Sequence, residues 1–301
     1  MIAGPTGSGK SLFALRLAKA VSGEIVNYDS IQVYRGFDIG SAKPSLVERQ
    51  ELPHHLYDLV DAGEDYDASR FAREALVVCD EIASRGLRPI LTGGTFFYLR
   101  ALLQGLPSIP GRDENIRARL RRLAARPRGP QHLHRWLSKV DPRSGARVPA
   151  GDRHRVERAL EVWMLTGQPI SQWEAPSAQS DREIVAIRIG LSMSRERLVP
   201  VLERRVEAMY ASGLVQETAG LLQSYSSDAR PFAAIGYREA VQVVRGLITE
   251  AAAIMETKRR TRGYAKRQMT WLRSERNVHW VDASDPEAAL QAALRVIEGQ
   301  D

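Results

Sequence analysis

The chain has 301 residues, 44% hydrophobic and 26% charged, with one cysteine, Cys79, a composition that excludes disordered, collagen-like and disulfide-framework classes and any Cys–Cys zinc site. No apolar run reaches about 18 residues, so no membrane span is expected. Lys10, Arg16 and Lys19 interrupt the first apolar stretch, which argues against a signal peptide and for a soluble, cytoplasmic protein. The formal net charge of +7 suggests an anionic partner.

In chain order, residues 1–4 read as the stub of a strand, followed by a glycine-rich turn and an apolar-periodic helix over 11–21. EIVNYD at 24–29 reads as a buried strand ending in an acid, and 56–60 as a further strand. A helix is expected over 68–85, stopped by Gly86, and then the strand RPILT at 88–92 runs into Gly93-Gly94. Strands alternating with helices imply a parallel sheet covered on both faces. The breaker-rich LPSIPGRDE, beginning at Leu106, introduces a basic, strand-poor, helical stretch. Residues 184–191 read as a strand returning to the sheet, and VHWVD at 278–282 as the last strand. Pro200 is expected to kink the helix that contains it. The expected architecture is an α/β, P-loop NTPase-like parallel sheet flanked by helices, with a core of 1–111 and 183–301 interrupted by a helical insertion at 112–182.

Gly4-Pro5-Thr6-Gly7-Ser8-Gly9-Lys10-Ser11 matches G-x-x-x-x-G-K-[ST] between a strand and a helix. The glycines allow consecutive N–H groups to turn around an anion, and the helix start adds its positive dipole end. Lys10 would hold a terminal phosphate and the Ser11 hydroxyl would coordinate Mg²⁺, so the loop predicts a nucleotide or another di- or triphosphate. The strand at 88–92 ends without the carboxylate that P-loop ATPases place there. Asp29 instead follows the second strand, where ligands of open parallel sheets sit, and is the candidate general base or metal ligand.

The basic residues are concentrated. Residues 115–140 hold eight arginines and lysines and no acid, and residues 258–276 hold eight more against Glu275 alone. Two such segments favour a polyanionic partner over two merely solvated faces.

These residues resemble the tRNA dimethylallyltransferase (IPP transferase) family over nearly the whole chain. GPTGSGKS at 4–11, DSIQVYRG at 29–36, DIGSAKP at 38–44, Gly93-Gly94-Thr95, Asp141-Pro142, HRVERALEV at 154–162, Gly236-Tyr237-Arg238 and KRQMTWLR at 266–273 carry the resemblance. It implies that dimethylallyl diphosphate occupies the phosphate loop and that its dimethylallyl group moves to N6 of adenosine 37, beside an adenosine 36 in the tRNA anticodon stem-loop. It implies Asp29 as the base, with Thr95 near the bridging oxygen and Lys10 and Arg205 on the diphosphate. It further implies tRNA contacts from Asp29, Ser30, Ile31 and Gln32, from Thr95 and Arg117, and from His154, Arg155, Val156, Glu157 and Arg158. The remaining implied contacts are Ala234, Ile235, Gly236, Tyr237, Arg238 and Glu239, then Lys266, Arg267, Gln268, Met269, Thr270, Trp271, Leu272 and Arg273. Tyr237, Arg238, Gln268 and Trp271 are types suited to stacking on and reading unpaired bases, and Trp271 is equally a core type. His154 and Glu239 stand where the family more often has glutamine. A monomer is expected.

Other readings of the same residues remain: a small-molecule kinase with Asp29 activating a hydroxyl, a prenyltransferase acting on free AMP, or an RNA-binding module whose phosphate loop is a switch.

Overall fold

The structure, a computed structural model, describes residues 1–107, 109–173 and 184–299. The chain forms two compact units, Met1–Leu103 with Ile184–Asp301, and Gln104–Glu183.

In the first unit, β1 (Ile2–Ala3), β2 (Gly23–Asn27), β3 (His54–His55), β4 (Arg88–Thr92), β5 (Arg188–Ser192) and β6 (Val278–Asp282) form a parallel sheet in the order β3-β2-β4-β1-β5-β6. Four consecutive residues of β2, Glu24–Asn27, are buried, as expected of a strand covered on both faces. The helices of this unit are α1 (Lys10–Ala20), α2 (Leu46–Glu51), α3 (Ala68–Ser84) and α4 (Phe96–Gln104). The second unit supplies α5 (Glu114–Ala124), α6 (Gly129–Val140), α7 (Pro142–Arg147) and α8 (Arg153–Thr166). The chain then returns through α9 (Arg195–Ala211), α10 (Leu214–Ser224), α11 (Tyr237–Val244), α12 (Glu250–Ser274) and α13 (Pro286–Glu298). Apolar faces of α1 and α13 (Phe13, Leu17, Ala293 and Ile297) pack with Ile2, Ile25 and Leu191 of the sheet.

The strand order places the site. β2, β4 and β1 are neighbours, and their carboxyl ends lead into Asp29, Thr95 and the phosphate loop. Three segments distant in sequence therefore meet at one edge of the sheet.

Two expectations change. The run 56–60 is not a strand: Leu56 and Asp58 take φ of 63° and 52°, which breaks the extended backbone, and the pairing with β2 falls to His54–His55. Val60 keeps only an isolated bridge to Tyr34. The strand expected at 184–191 is confined to Arg188–Ser192. Helix α9 continues through Pro200, whose exposed position leaves the carbonyl it frees open to solvent.

The second unit begins at Gln104 rather than at 112. Residues 110–113 belong with it because Arg158 donates to the Pro110 carbonyl at 2.6 Å and the Asp113 N–H donates to Glu161 at 2.9 Å. The final residues of the expected insertion, 174–182, lie outside the described residues. This unit has its own core of Leu120, Leu133, Leu137, Val156 and Leu160. Asp141 is buried and accepts the N–H and hydroxyl of Ser144 and of Ser171, which accounts for Asp141-Pro142: the acid caps α7 and pins the segment at 171.

Candidate active site

The phosphate loop turns on Gly7 and Gly9, at φ of 80° and 79°, backbone that a β-carbon would strain. Gly9 hands the chain to α1, and the N–H groups of Gly9, Lys10 and Ser11 have no protein acceptor among the described residues. Lys10 Nζ folds back to the Pro5 carbonyl at 2.8 Å. The hydroxyl of Ser8 is buried with no partner. Donors left over in this way are what an anion-binding loop holds in reserve.

The loop forms one wall of a cavity of about 640 Å³. Asp29, Ser30, Ile31 and Gln32 form another, with Gly93, Gly94 and Thr95 from the end of β4. Arg205 from α9, Ala234 and Ile235 before α11, and Thr261, Tyr264 and Gln268 from α12 complete it. Lys10 and Arg205 both face the cavity, and neither forms an ion pair among the described residues. Burial lowers the pKa of Lys10 to about 7, and the charge of Arg205 adds to that effect. Burial also lowers the pKa of Arg205. Two cationic side chains, both destabilised by burial and Lys10 further by the charge of Arg205, make a site that gains by taking in a multivalent anion.

Asp29 stands opposite. Its Oδ1 accepts the N–H groups of Ile31 at 2.9 Å and Gln32 at 3.4 Å, closing a local turn. Its own N–H donates to Asn27 Oδ1 at 2.9 Å, while the buried Asn27 side chain donates to the Leu56 carbonyl at 2.9 Å. Burial raises the pKa of Asp29 above the ordinary carboxylate value against those backbone donors and the two cations. A β-carbon on Gly93 would lie 2.6 Å from the Tyr28 backbone and one on Gly94 2.8 Å from Asp29 Oδ2, so the glycine pair lets β4 pass beside this carboxylate. Thr95 Oγ1 accepts the Ser30 N–H and donates to Ser30 Oγ, both at 3.0 Å.

The loop at 38–44 is held by three side chains. Glu217 accepts the N–H groups of Asp38 and Ile39. Tyr237 takes the Gly40 N–H at 3.1 Å and donates to Glu217 at 2.5 Å. Lys43 is buried between Asp38 and Asp58, each at 2.6 Å.

The residues expected to touch RNA fall into three groups: exposed, lining the cavity or half-buried, and committed within the protein. Exposed and open to a polyanion are Lys266, Arg267, Thr270 and Arg273 on α12, Arg238 on α11, and His154 and Arg155 on α8. Ala234 and Ile235 line the cavity, and Met269 is half-buried. Others are committed within the protein. Tyr237 is buried against Phe37, with ring centroids 4.9 Å apart, so it is closed to base stacking. Glu239 is buried, caps α11 by accepting the Gly236 N–H at 2.8 Å, and pairs with Arg260. Trp271 stacks on Phe96 at 4.3 Å, and Leu272 and Val156 are core residues. Gln268 is buried between the phosphate loop and Gly94. Arg117 grips the buried Glu161 with two bonds of 2.7 and 3.0 Å, Arg158 reaches it at 2.7 Å, and Glu157 faces Arg153 at 3.5 Å. Burial works against the ionised form of Glu161, but these arginines outweigh it and bring its pKa down to about 2. Sequence reasoning missed Tyr264, whose hydroxyl donates to the Gly94 carbonyl at 2.7 Å; its place one helical turn before Gln268 was the available signal. Nothing in the sequence marked Glu217.

Fold and site together define a P-loop α/β protein whose phosphate loop faces a strand-end carboxylate across an anion-binding cavity. The chain belongs to the IPP transferase family, whose model matches residues 32–275, and an isopentenyl transferase model matches residues 1–60. It is 45% identical over 283 residues, 94% of this chain and 91% of the relative, to a tRNA dimethylallyltransferase of Geobacter sulfurreducens. It is 46% identical to another of that name from Solibacter usitatus, over 93% of this chain and 91% of the relative. Among solved structures, the full-length tRNA isopentenylpyrophosphate transferase of Bacillus halodurans aligns at 37% identity and a TM-score of 0.72, covering 99% of this chain and 94% of that one. A eukaryotic dimethylallyltransferase acting on tRNA aligns at 30% identity and 0.75, covering 99% and 77%.

Proposed function

We propose that this chain transfers a dimethylallyl group from dimethylallyl diphosphate to N6 of adenosine 37 in tRNA, releasing diphosphate. The observation that carries this reading is that Lys10 and Arg205, which form no ion pair among the described residues, line one cavity with Asp29 and with loop N–H groups that have no protein acceptor among the described residues. The curated relatives that share the family add the chemistry of the transfer.

Adenine N6 is a weak nucleophile because its lone pair is delocalised into the ring. As the N6–C1 bond forms, the C1–O bond to diphosphate breaks and the electron pair leaves with diphosphate. The N6 proton passes to Asp29, whose raised pKa makes it a better acceptor than an ordinary carboxylate. Lys10, Arg205 and the start of α1 stabilise the charge growing on the leaving diphosphate. Thr95, which lines the cavity, positions the Asp29 segment through the two hydrogen bonds its hydroxyl makes to Ser30.

The donor set suits Mg²⁺. The Ser11 hydroxyl is exposed at the cavity wall, and among the described residues no cluster of three acids, histidines or cysteines forms a cage. A hard cation held by one hydroxyl, water and diphosphate oxygens matches the way Mg²⁺ is usually bound. When bound, it would neutralise charge on the diphosphate.

The exposed cations of α12, α11 and α8 serve the tRNA anticodon stem-loop, from which adenosine 37 must be swung out to react. Among the described residues no helix is long and apolar enough to cross a membrane. We place the protein in the cytoplasm with its tRNA, acting as a monomer.

The test is a transfer assay with labelled dimethylallyl diphosphate and Mg²⁺, offering unmodified A36-A37 tRNA, AMP or no acceptor, beside an ATP-hydrolysis control. Label in the tRNA at position 37, lost in Asp29→Ala, supports the reading. Label in AMP alone, or ATP turnover without transfer, rejects it.

A further inference from the structure

Gln268 bridges two walls of the cavity. Its Oε1 accepts the N–H of Thr6 in the phosphate loop at 2.7 Å, and its Nε2 donates to the Gly94 carbonyl at 3.0 Å. The same carbonyl receives the Tyr264 hydroxyl at 2.7 Å. Gln268 is buried and spends both ends of its amide on backbone, so its orientation is fixed and base reading is closed to it. The Thr6 N–H would otherwise turn toward the cavity and join the loop's other unused donors.

Neighbouring positions of the same helix face solvent. Lys266, Arg267 and Arg273 are exposed and form no ion pair among the described residues, whereas Lys258, Arg259, Arg260 and Arg262 are paired with Glu207, Glu256, Glu239 and Glu203. Toward its C-terminal end, α12 thus carries Lys266 and Arg273 toward solvent, while the guanidinium of Arg267 lies over the ring of Tyr264, 5.9 Å from its centroid, beside the clasp on Gly94 and the phosphate loop.

We propose that Gln268 is a positioning residue that couples polyanion binding on α12 to diphosphate binding in the phosphate loop. RNA seated on Lys266, Arg267 and Arg273 sets the position of α12, and Gln268 passes that position to Thr6. Linkage makes the effect reciprocal: diphosphate changes RNA affinity by the same factor. This inference rests on the phosphate-site reading above.

The experiment measures the dissociation constant of inorganic diphosphate by calorimetry, with and without an unmodified anticodon stem-loop, for wild type and Gln268→Met. Amide hydrogen exchange at Thr6 is followed in both proteins, with Val26 in β2 reporting the global fold. For wild type, RNA changes the diphosphate constant by about fivefold or more, within the usual range of coupling between sites. In Gln268→Met that factor falls to about one and Thr6 exchanges faster while Val26 does not. A wild type without RNA dependence, or a variant that keeps the full factor, overturns the proposal. Should Val26 also lose protection, Tyr264→Phe, which removes only the second bond to Gly94, replaces it: a reduced factor supports the coupling and an unchanged one overturns it. Failure of wild type to bind diphosphate at all, or an affinity unchanged in Lys10→Ala, would reject the phosphate-site reading and this proposal with it.

Discussion

Thr95 and Ser30, 65 positions apart, exchange two hydrogen bonds through one hydroxyl: Thr95 Oγ1 takes the Ser30 N–H and gives its proton to Ser30 Oγ, each at 3.0 Å. This contact ties the end of β4 to the segment that carries Asp29. Thr95→Ser keeps the hydroxyl and is expected to retain transfer within a few-fold. Thr95→Ala leaves the Ser30 N–H unsatisfied and is expected to lower kcat by roughly tenfold or more, the effect of one lost bond of this kind on a reacting geometry. Steady-state kinetics with tRNA in excess separates the two.

Asp29→Asn preserves shape and removes the base. Transfer to tRNA is expected to fall by about 10²–10⁴-fold, the usual contribution of a positioned base. Diphosphate binding should persist, because Lys10 and the loop donors remain. Loss of binding in parallel with transfer would show that Asp29 acts on the anion rather than on N6.

Lys10 gives the pH dependence. Its pKa in the free protein is about 7, and a bound diphosphate raises it by supplying opposite charge. Affinity that depends on the lysine charge is fully present below the free pKa and declines as pH rises through the interval up to the bound value. The lysine's contribution to diphosphate affinity is therefore expected to be constant below about pH 7 and to weaken by up to about tenfold per unit above it. Calorimetry in buffers of different ionisation enthalpy should show proton uptake on binding in that interval. Lys10→Met should abolish both.

Tyr237 separates a packing role from an RNA role. Tyr237→Phe removes the bonds to Glu217 and Gly40 that hold the loop at 38–44, and is expected to cost about 1–2 kcal/mol of stability. RNA affinity should fall far less than with Arg267→Ala. For Lys266, Arg267 and Arg273, each alanine change should reduce the slope of log affinity against log salt by roughly 0.7–1.

In the second unit, Glu161 holds Arg117 and Arg158. Its folded pKa of about 2 lies below the ordinary 4.5, so its contribution to stability is present above about pH 4.5 and is lost as pH falls toward 2. Acid titration of wild type against Glu161→Gln, followed by circular dichroism, should show the variant less stable at pH 7 and the difference vanishing in acid.

The sequence by itself determined the features that rest on local spacing. The phosphate loop was legible because its glycines, Lys10 and Ser11 act within eight consecutive residues. The strand-helix alternation and the strands at 88–92 and 278–282 followed from short-range patterning. The tertiary structure alone decided which side of a motif faces out. KRQMTWLR lies on α12 and GYR at the start of α11, but helical period and packing turn Gln268, Leu272 and Tyr237 inward and leave Lys266, Arg267 and Arg238 outside. The pairing of Arg117 with Glu161 spans 44 positions, and that of Thr6 with Gln268 spans 262. No local pattern encodes such separations, because a buried donor is satisfied by whichever acceptor the packed chain brings to it.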